Sequence, residues 1–379
     1  MHVLYLCGDA GIPLDGHKGA SVHVRQTVGG LRDRGFEVSV VVSRPEKRNK
    51  PWRFGSRGVA GEAEQLATTG KLLQSTEDLG NVDVIYERQS LWSLTGLALA
   101  EHLDVPLVLE VNAPLVQEAK QFRELTLTDV AASIEEVLYR RAEAIFCVSR
   151  PLVRHVTELR GHPGDVHLSP NVVNVDRFRP AGPRSDGEAP LIVFVGSLKP
   201  WHGLETLIEA LAQIPAGRLM LIGDGPLRRS LEKQALALGV TERVEFRGAV
   251  DHAEVPGLIA GADIAVAPYP AMEPFYFSPL KIGEYLACGL PVVTSSLGDL
   301  APMLRHRDNA YLVRPGDVDD LARGLKALVD DRSMRRTLGQ AGRKLALEQL
   351  SLDGGLIRLQ NVIARLVGQR RTMRGGAVS

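Results

Sequence analysis

An α/β protein built from two doubly wound parallel sheets is the fold this sequence predicts, on three observations. Short apolar, β-branched runs alternate with longer helical patterns along the whole chain, as in parallel sheets covered by helices on both faces. The chain has 379 residues, more than one hydrophobic core usually spans. Near its middle the segment DRFRPAGPRSDGEAP (176–190), dense in Pro, Gly and charge, interrupts the alternation and reads as an interdomain linker. The expected division is a first Rossmann-like domain at 1–180, a second at 181–350, and a last segment, 351–379. That segment holds a helix returning to the first domain, then a frayed tail.

The strands expected in the first half are 2–7, 37–42, 82–87, 106–111 and 144–149, with helices between them. The second half repeats the pattern with 191–196, 218–223, 244–248, 263–268, 291–295 and 310–313. Helical patterns follow at 317–329 and 333–346, then an amphipathic stretch at 352–367. The repetition is architectural, with no internal sequence period of the kind that marks solenoids or propellers.

The 45 basic and 45 acidic residues cancel and no long single-sign block dominates, so no nucleic-acid partner is called for. The expected ligand is small. Cys7, Cys147 and Cys288 lie far apart in apolar segments, which suits buried thiols in a reducing compartment. The apolar run at 3–7 is too short for a signal-peptide core and no later run approaches a membrane span, so a cytoplasmic protein is expected. The stretch 43–58 carries six basic residues against one acidic, with Trp52 and Phe54 interleaved. It reads as a solvated loop, with peripheral contact to an anionic membrane or acceptor as the other reading.

In open parallel sheets ligands collect outside the carboxyl ends of the strands, so strand-to-helix turns are where chemistry is sought. Four are unusual. GIPLDGHKGASVH (11–23) follows the first strand and offers Gly16 and Gly19 ahead of a helix start, which suits an anion. It lacks the GxGxxG spacing, and the second strand ends in Val42 and Ser43 rather than an acid, which disfavours a nicotinamide dinucleotide. VFVGSLKPWHG (193–203) places Ser197, Lys199, Trp201 and His202 between a buried strand and a helix. A cation there suits a diphosphate, the bland alternative being a surface lysine beside a packing tryptophan.

The third turn, SPLKIGEYLACGLPVV (278–293), reads as a helix start capped by Ser278, with Pro279 at the first helical position and Gly289 at the end. Glu284 stands one turn beyond Lys281. It is placed either to accept from two vicinal ribose hydroxyls or to form an ordinary pair with Lys281. The fourth, LIGDGP (221–226), says only that a tight corner is needed.

In order and spacing these turns resemble the retaining glycosyltransferases of family four, which have the two-domain GT-B fold. HLSPNVVNVDRF (167–178) resembles the family's P-N-G-V-D-x-x-x-F segment, with Val172 where glycine is usual, and VEFRGAV (244–250) and ADIAVAPY (262–269) add to the match. The resemblance implies that the carboxy-terminal domain binds a nucleoside diphosphate-sugar, UDP- or GDP-linked, and that the amino-terminal domain presents a hydroxyl acceptor. Glu284 matches the ribose-binding glutamate. Lys199 and His202 fall in the loop that usually carries an arginine and a lysine on the phosphates, Ser197 standing at the arginine position. Tyr276 replaces the first of two paired glutamates, which leaves the sugar to backbone N–H groups of 277–280 or to Glu273.

Donor binding is thus expected of Gly16, Gly19, Ser197, Lys199, His202, Arg247, Ser278, Pro279, Leu280, Lys281 and Glu284. The residues expected at the chemistry are Lys199, Glu110 and Asn112. Asn112, in LVLEVNAPL (107–115), stands where many relatives have a histidine, and an amide binds but does not shuttle protons. Glu110 beside it reads as a structural carboxylate or as a partner of the acceptor hydroxyl. The resemblance further implies a retaining, metal-independent transfer with no cofactor other than the donor. DVD (317–319) is assigned to helix initiation rather than to a metal. Two alternatives remain: a sugar-nucleotide epimerase or pseudo-glycosyltransferase on the same fold, and a nucleotide-sugar-binding homologue without turnover.

Overall fold

A computed structural model describes residues 1–16, 19–43, 58–74, 76, 79–182 and 189–376. The basic stretch 43–58, with the membrane contact considered for it, lies outside these residues apart from its two ends.

The chain forms two compact units, Met1–Pro170 with Gly355–Ser379, and Asn171–Gly354. In the first, β1 (His2–Cys7), β2 (Glu37–Val42), β3 (Val84–Arg88), β4 (Leu107–Val111), β5 (Ala144–Cys147) and β6 (Val166–Leu168) pair in parallel in the order β2-β1-β3-β4-β5-β6. Every residue of β1, β3, β4 and β5 is buried, as expected of strands covered on both faces. The unit's helices are α1 (Gly19–Asp33), α2 (Val59–Gln74), α3 (Thr95–Leu103), α4 (Leu115–Phe122), α5 (Thr128–Arg141) and α6 (Arg150–Arg160). Winding reverses between β1 and β3, which makes their carboxyl ends the switch point.

The second unit pairs β7 (Leu191–Val195), β8 (Arg218–Ile222), β9 (Val244–Gly248), β10 (Ile264–Ala267), β11 (Val292–Ser295) and β12 (Tyr311–Val313), also all in parallel. Their order is β12-β11-β10-β7-β8-β9, so the switch point lies between β7 and β10. The helices are α7 (Leu204–Gln213), α8 (Arg228–Ala237), α9 (Val255–Ala260), α10 (Leu280–Ala287), α11 (Leu300–Met303), α12 (Val318–Asp330) and α13 (Arg332–Gln349). Val193 packs into one core cluster with α9 and α10, while Ile192 and Phe194 pack into another with α7 and α12. Alternation along β7 thus serves both faces. Asp317 starts α12, its side chain accepting from Asp320 N at 2.8 Å.

Two expectations change. The chain leaves the first unit after Pro170, ahead of the Pro- and Gly-rich segment, and Val173 and Phe178 already belong to the second core. Arg343 fixes this stretch by donating to the carbonyls of Val175, Phe178 and Ala287. The tail read as frayed is instead helical as far as Gly376 in α14 (Leu352–Gly376). Three of its basic residues have partners within the first unit: Arg365 on Asp165, Arg370 on Asp104 and Glu143, and Arg371 on Asp83. Among the described residues no helix is long and apolar enough to cross a membrane.

Candidate functional site

At the switch point of the second unit, the turns after β7 and β8 lie backbone to backbone. Gly196 N donates to Ile222 O at 2.9 Å and Leu198 N to Asp224 O at 3.1 Å. A Cβ on Gly223 would stand 2.0 Å from Gly196 O, with φ at +130°, so LIGDGP is a close approach and not merely a corner. The loop continues through a 3-10 turn, Pro200–His202. There a Cβ on Gly203 would meet Pro268 O at 1.9 Å, which brings the loop against the end of β10.

His202 Nδ1 donates to Ser197 O at 2.6 Å, because the carbonyl can only accept. Its ring lies 5.4 Å from that of Phe194 and 6.1 Å from that of Tyr269. Burial, then the charge of Lys281, push its pKa down to about 3, so the imidazole is neutral. Lys199 Nζ sits 4.5 Å from the centroid of the exposed Trp201 ring, a cation–π contact. Ser197 is exposed.

The start of α10 differs from the expected one. Pro279 stands just before the helix and no side chain caps it. Ser278 is engaged elsewhere: its Oγ accepts from Asn171 N at 2.9 Å and its carbonyl from Asn171 Nδ2 at 2.6 Å. Ile282 N donates to Pro279 O at 3.1 Å, and the uncapped start keeps the positive end of the helix and the N–H groups of Leu280 and Lys281 open to an anion.

Among the described residues Lys281 Nζ is sealed from solvent with no hydrogen-bond partner, 4.0 Å from the centroid of Phe194. Burial pushes its pKa down to about 7. Glu284 is pushed up to about 7 by burial, with Lys281 and Arg177 pulling against it. No hydrogen bond joins Glu284 and Lys281, and they interact through their charges alone. Tyr285 Oη accepts from Val195 N at 2.7 Å and ties α10 to the end of β7.

Tyr276 is buried against Phe277, with ring centroids 4.4 Å apart, while Glu273 is exposed. Thr294 and Ser295 hydroxyls donate to Ala267 and Tyr269 carbonyls at 2.8 and 2.6 Å, fixing the turn after β10. Both were missed in the sequence, where they read only as the end of a strand. Arg247 lies on the edge strand β9 and pairs with Glu245 at 3.2 Å, on an exposed surface.

In the first unit the switch point holds a buried polar cluster. Glu110, 3% exposed, accepts from Arg88 Nη1, from Tyr86 Oη at 2.7 Å, from Asn112 Nδ2 at 2.6 Å and from His23 Nε2 at 3.0 Å. Burial alone would raise its pKa. The His23 imidazole and Arg88 guanidinium, with the bonds from His23 and Tyr86, outweigh burial and hold it well below the usual carboxylate range. With four protein donors on its two oxygens, Glu110 holds Asn112 and α1 in place; it is not free to meet an acceptor hydroxyl. Of its partners only Asn112 was singled out in the sequence. His23 carries no signal of its own in the sequence, because a lone polar residue among the buried Val22, Val24 and Val28 looks like any helix position.

The glycine loop is held from α1. Arg25 donates to the carbonyls of Leu14 and Gly16, and a Cβ on Gly16 would stand 2.5 Å from Ser21 Oγ. Gly19 opens α1 at an exposed position, and the intervening residues 17 and 18 lie outside the described ones.

Residues 17–177 match the family model described as Glycosyltransferase Family 4, and residues 176–345 the model described as Glycosyl transferases group 1. The chain belongs to the group 1 glycosyltransferases of family four. The chain is 28% identical over 268 residues to a glycogen synthase of Mycobacterium tuberculosis, 69% of this chain and 64% of that protein. The match thus spans a little under two thirds of that relative. A D-inositol 3-phosphate glycosyltransferase of Xylanimonas cellulosilytica is 27% identical over 403 aligned positions, 96% of this chain and 94% of the relative.

A GDP-mannose-dependent mannosyltransferase of Mycobacterium tuberculosis, acting on a phosphatidylinositol monomannoside, is 29% identical over 209 residues, 51% of this chain and 54% of that protein. Among solved structures, sucrose-phosphate synthase from Thermosynechococcus elongatus superposes with a TM-score of 0.79 at 21% identity, covering 97% of this chain and 100% of that one. Anabaena HepE in complex with UDP-glucose gives 0.72 at 21% identity, with the same coverage. These likenesses bear on the fold, and the chain has the two-domain GT-B architecture.

Proposed function

We propose that this glycosyltransferase moves a sugar from a nucleoside diphosphate-sugar to a hydroxyl of a small-molecule, glycan or lipid-linked acceptor, with retention at the anomeric carbon and without a metal. The observation that carries the reading is α10, an uncapped helix start followed by a carboxylate, Glu284, to which no protein group among the described residues donates a hydrogen bond. An anion at the helix start and hydroxyl donors at Glu284 together describe a diphosphate and a ribose on one helix. The names of similar proteins mention UDP-glucose and GDP-mannose, so UDP and GDP are the first nucleotides to test.

Ribose hydroxyls donating to Glu284 stabilise its ionised form, so it grips best above pH 7. The acceptor hydroxyl attacks on the face from which the diphosphate departs, and a diphosphate oxygen takes its proton. The protein's share is positioning and stabilisation of charge on the leaving group, by Lys199, Lys281 and the first N–H groups of α10. In the first unit Asn112 meets a sugar hydroxyl with the amide atoms that Glu110 leaves unused.

Thermal melts with UDP, GDP, ADP and dTDP test the binding. A nucleotide at about a hundred times its Kd raises stability by about 2.7 kcal/mol, and Glu284→Ala abolishes that shift. Incubation with the matching nucleotide-sugars, read by mass, then tests turnover. Slow release of the diphosphate nucleotide, absent in Glu284→Ala, is expected, whereas an isomerised donor without nucleotide release would sink the transferase reading.

A further inference from the structure

Around Gly196 the loop after β7 provides little of the positive charge that a diphosphate demands. Ser197, at the usual arginine position, is exposed and uncharged, and its carbonyl is taken by His202. His202 has its one proton committed to that carbonyl, and burial followed by Lys281 keeps it neutral. The loop's remaining cation, Lys199, lies over the exposed ring of Trp201.

A cation is present on a different element. Lys281 enters from the first turn of α10, and a Cβ on Gly196 would stand only 2.8 Å from its Nζ. The missing side chain at the end of β7 makes the room that the amine occupies. Nζ has no hydrogen-bond partner among the described residues and rests between the rings of Phe194 and Tyr269, at 4.0 and 5.9 Å from their centroids. A sealed ammonium with three donors and no acceptor is unfavourable unless a ligand brings the acceptor or the amine gives up its proton.

The groups facing Lys281 come from three elements. Glu284 on its own helix favours its charge, and Tyr285 on that helix has its hydroxyl bonded to Val195 N. His202 faces it from the β7 loop, and Lys199 acts on His202. Tyr269 follows β10 and offers only its ring. Arg177 acts on Glu284 and favours its ionised form.

Given the donor-binding reading of this site, we infer that the donor's diphosphate is met by Lys281 Nζ from helix α10, in place of the loop arginine, and that the amine takes a proton from solvent as the diphosphate arrives. No bond of the donor breaks in this step; a neutral amine and one proton become an ammonium. The free amine titrates near pH 7, so above that pH each bound diphosphate brings one proton and its affinity falls by about tenfold per pH unit.

Titration calorimetry with UDP, GDP, ADP and dTDP at pH 8, in phosphate and in Tris, tests this, since the two buffers differ in their heats of ionisation. One diphosphate nucleotide is expected to bind wild-type protein with net proton uptake. Lys281→Met is expected to bind it about tenfold or more weakly, without proton uptake. The variant melts no lower than wild type, because an apolar chain of similar length replaces a sealed amine. If Lys281→Met keeps wild-type affinity and proton uptake while Lys199→Met loses affinity, the assignment to Lys281 is overturned and the donor reading stands. If none of the four nucleotides binds wild type, both are overturned.

Discussion

Glu110 takes donors from β3, from α1 and from the loop after its own strand, so its neighbours depend on it differently. Removing its carboxylate leaves the Arg88 guanidinium buried without a counter-charge, which typically costs about 3–5 kcal/mol. Tyr86→Phe takes away one neutral donor among four, a loss of about 1 kcal/mol. Urea unfolding should therefore rank Glu110→Ala far below Tyr86→Phe, and near-equal losses would show that the cluster is not held by charge.

Glu87 presents the opposite case. It is buried with a single side-chain donor, Ser93 Oγ at 2.5 Å, and burial raises its pKa to about 7 from an ordinary 4.5. Between pH 4.5 and 7 the folded chain holds a proton that the unfolded chain has released, so stability falls as pH rises through that window and levels off above it. The loss is on the order of 3 kcal/mol. Glu87→Gln should flatten that part of the stability–pH curve, and an unchanged slope would show that Glu87 ionises normally.

At the scale of elements, what the sequence discloses depends on how local the cause is. The central strands were legible because β-branched runs such as LIVFV in β7 are buried on both faces whatever the helices do. The three residues of β6 are half-buried and include His167, too short and too mixed to register as a strand. At α10 the pattern Ser278-Pro279 predicts a cap, yet Asn171, 107 residues away in sequence, takes both Ser278 oxygens. His23 likewise meets Glu110 across 87 residues. No local pattern announces either pairing.

The glycines of GDG were visible, but the reason for them is the backbone of the neighbouring turn. Gly223→Ala should accordingly do more than strain one residue. Its Cβ would collide with Gly196 O and push the β7 turn away from the β8 turn, with strain of about 1–3 kcal/mol. Because that turn frames Ser197 and Lys281, nucleotide-induced stabilisation should shrink as well. A Gly223→Ala protein with lowered stability and a full nucleotide shift would separate the two turns functionally.

Over the whole molecule the two units are unequal in how they are encoded. The second is one continuous stretch, Asn171–Gly354, whereas the first needs Gly355–Ser379 after the other unit has been completed. Leu356, Leu359, Ile363, Leu366 and Val367 of α14 are all buried, Leu356 filling the space above Gly30 of α1. At about 1.5–3 kcal/mol for each buried side chain these five contribute roughly 8–15 kcal/mol as an upper bound, comparable to the whole stability of a typical domain. Residues 1–170 alone should therefore lack a cooperative melt, and adding a peptide of residues 355–376 should restore one. Residues 171–354 alone should melt cooperatively and retain nucleotide-induced stabilisation, because α10, the β7 loop and Arg343 all belong to that stretch. Failure of the 171–354 fragment to fold would mean that α14 supports both units.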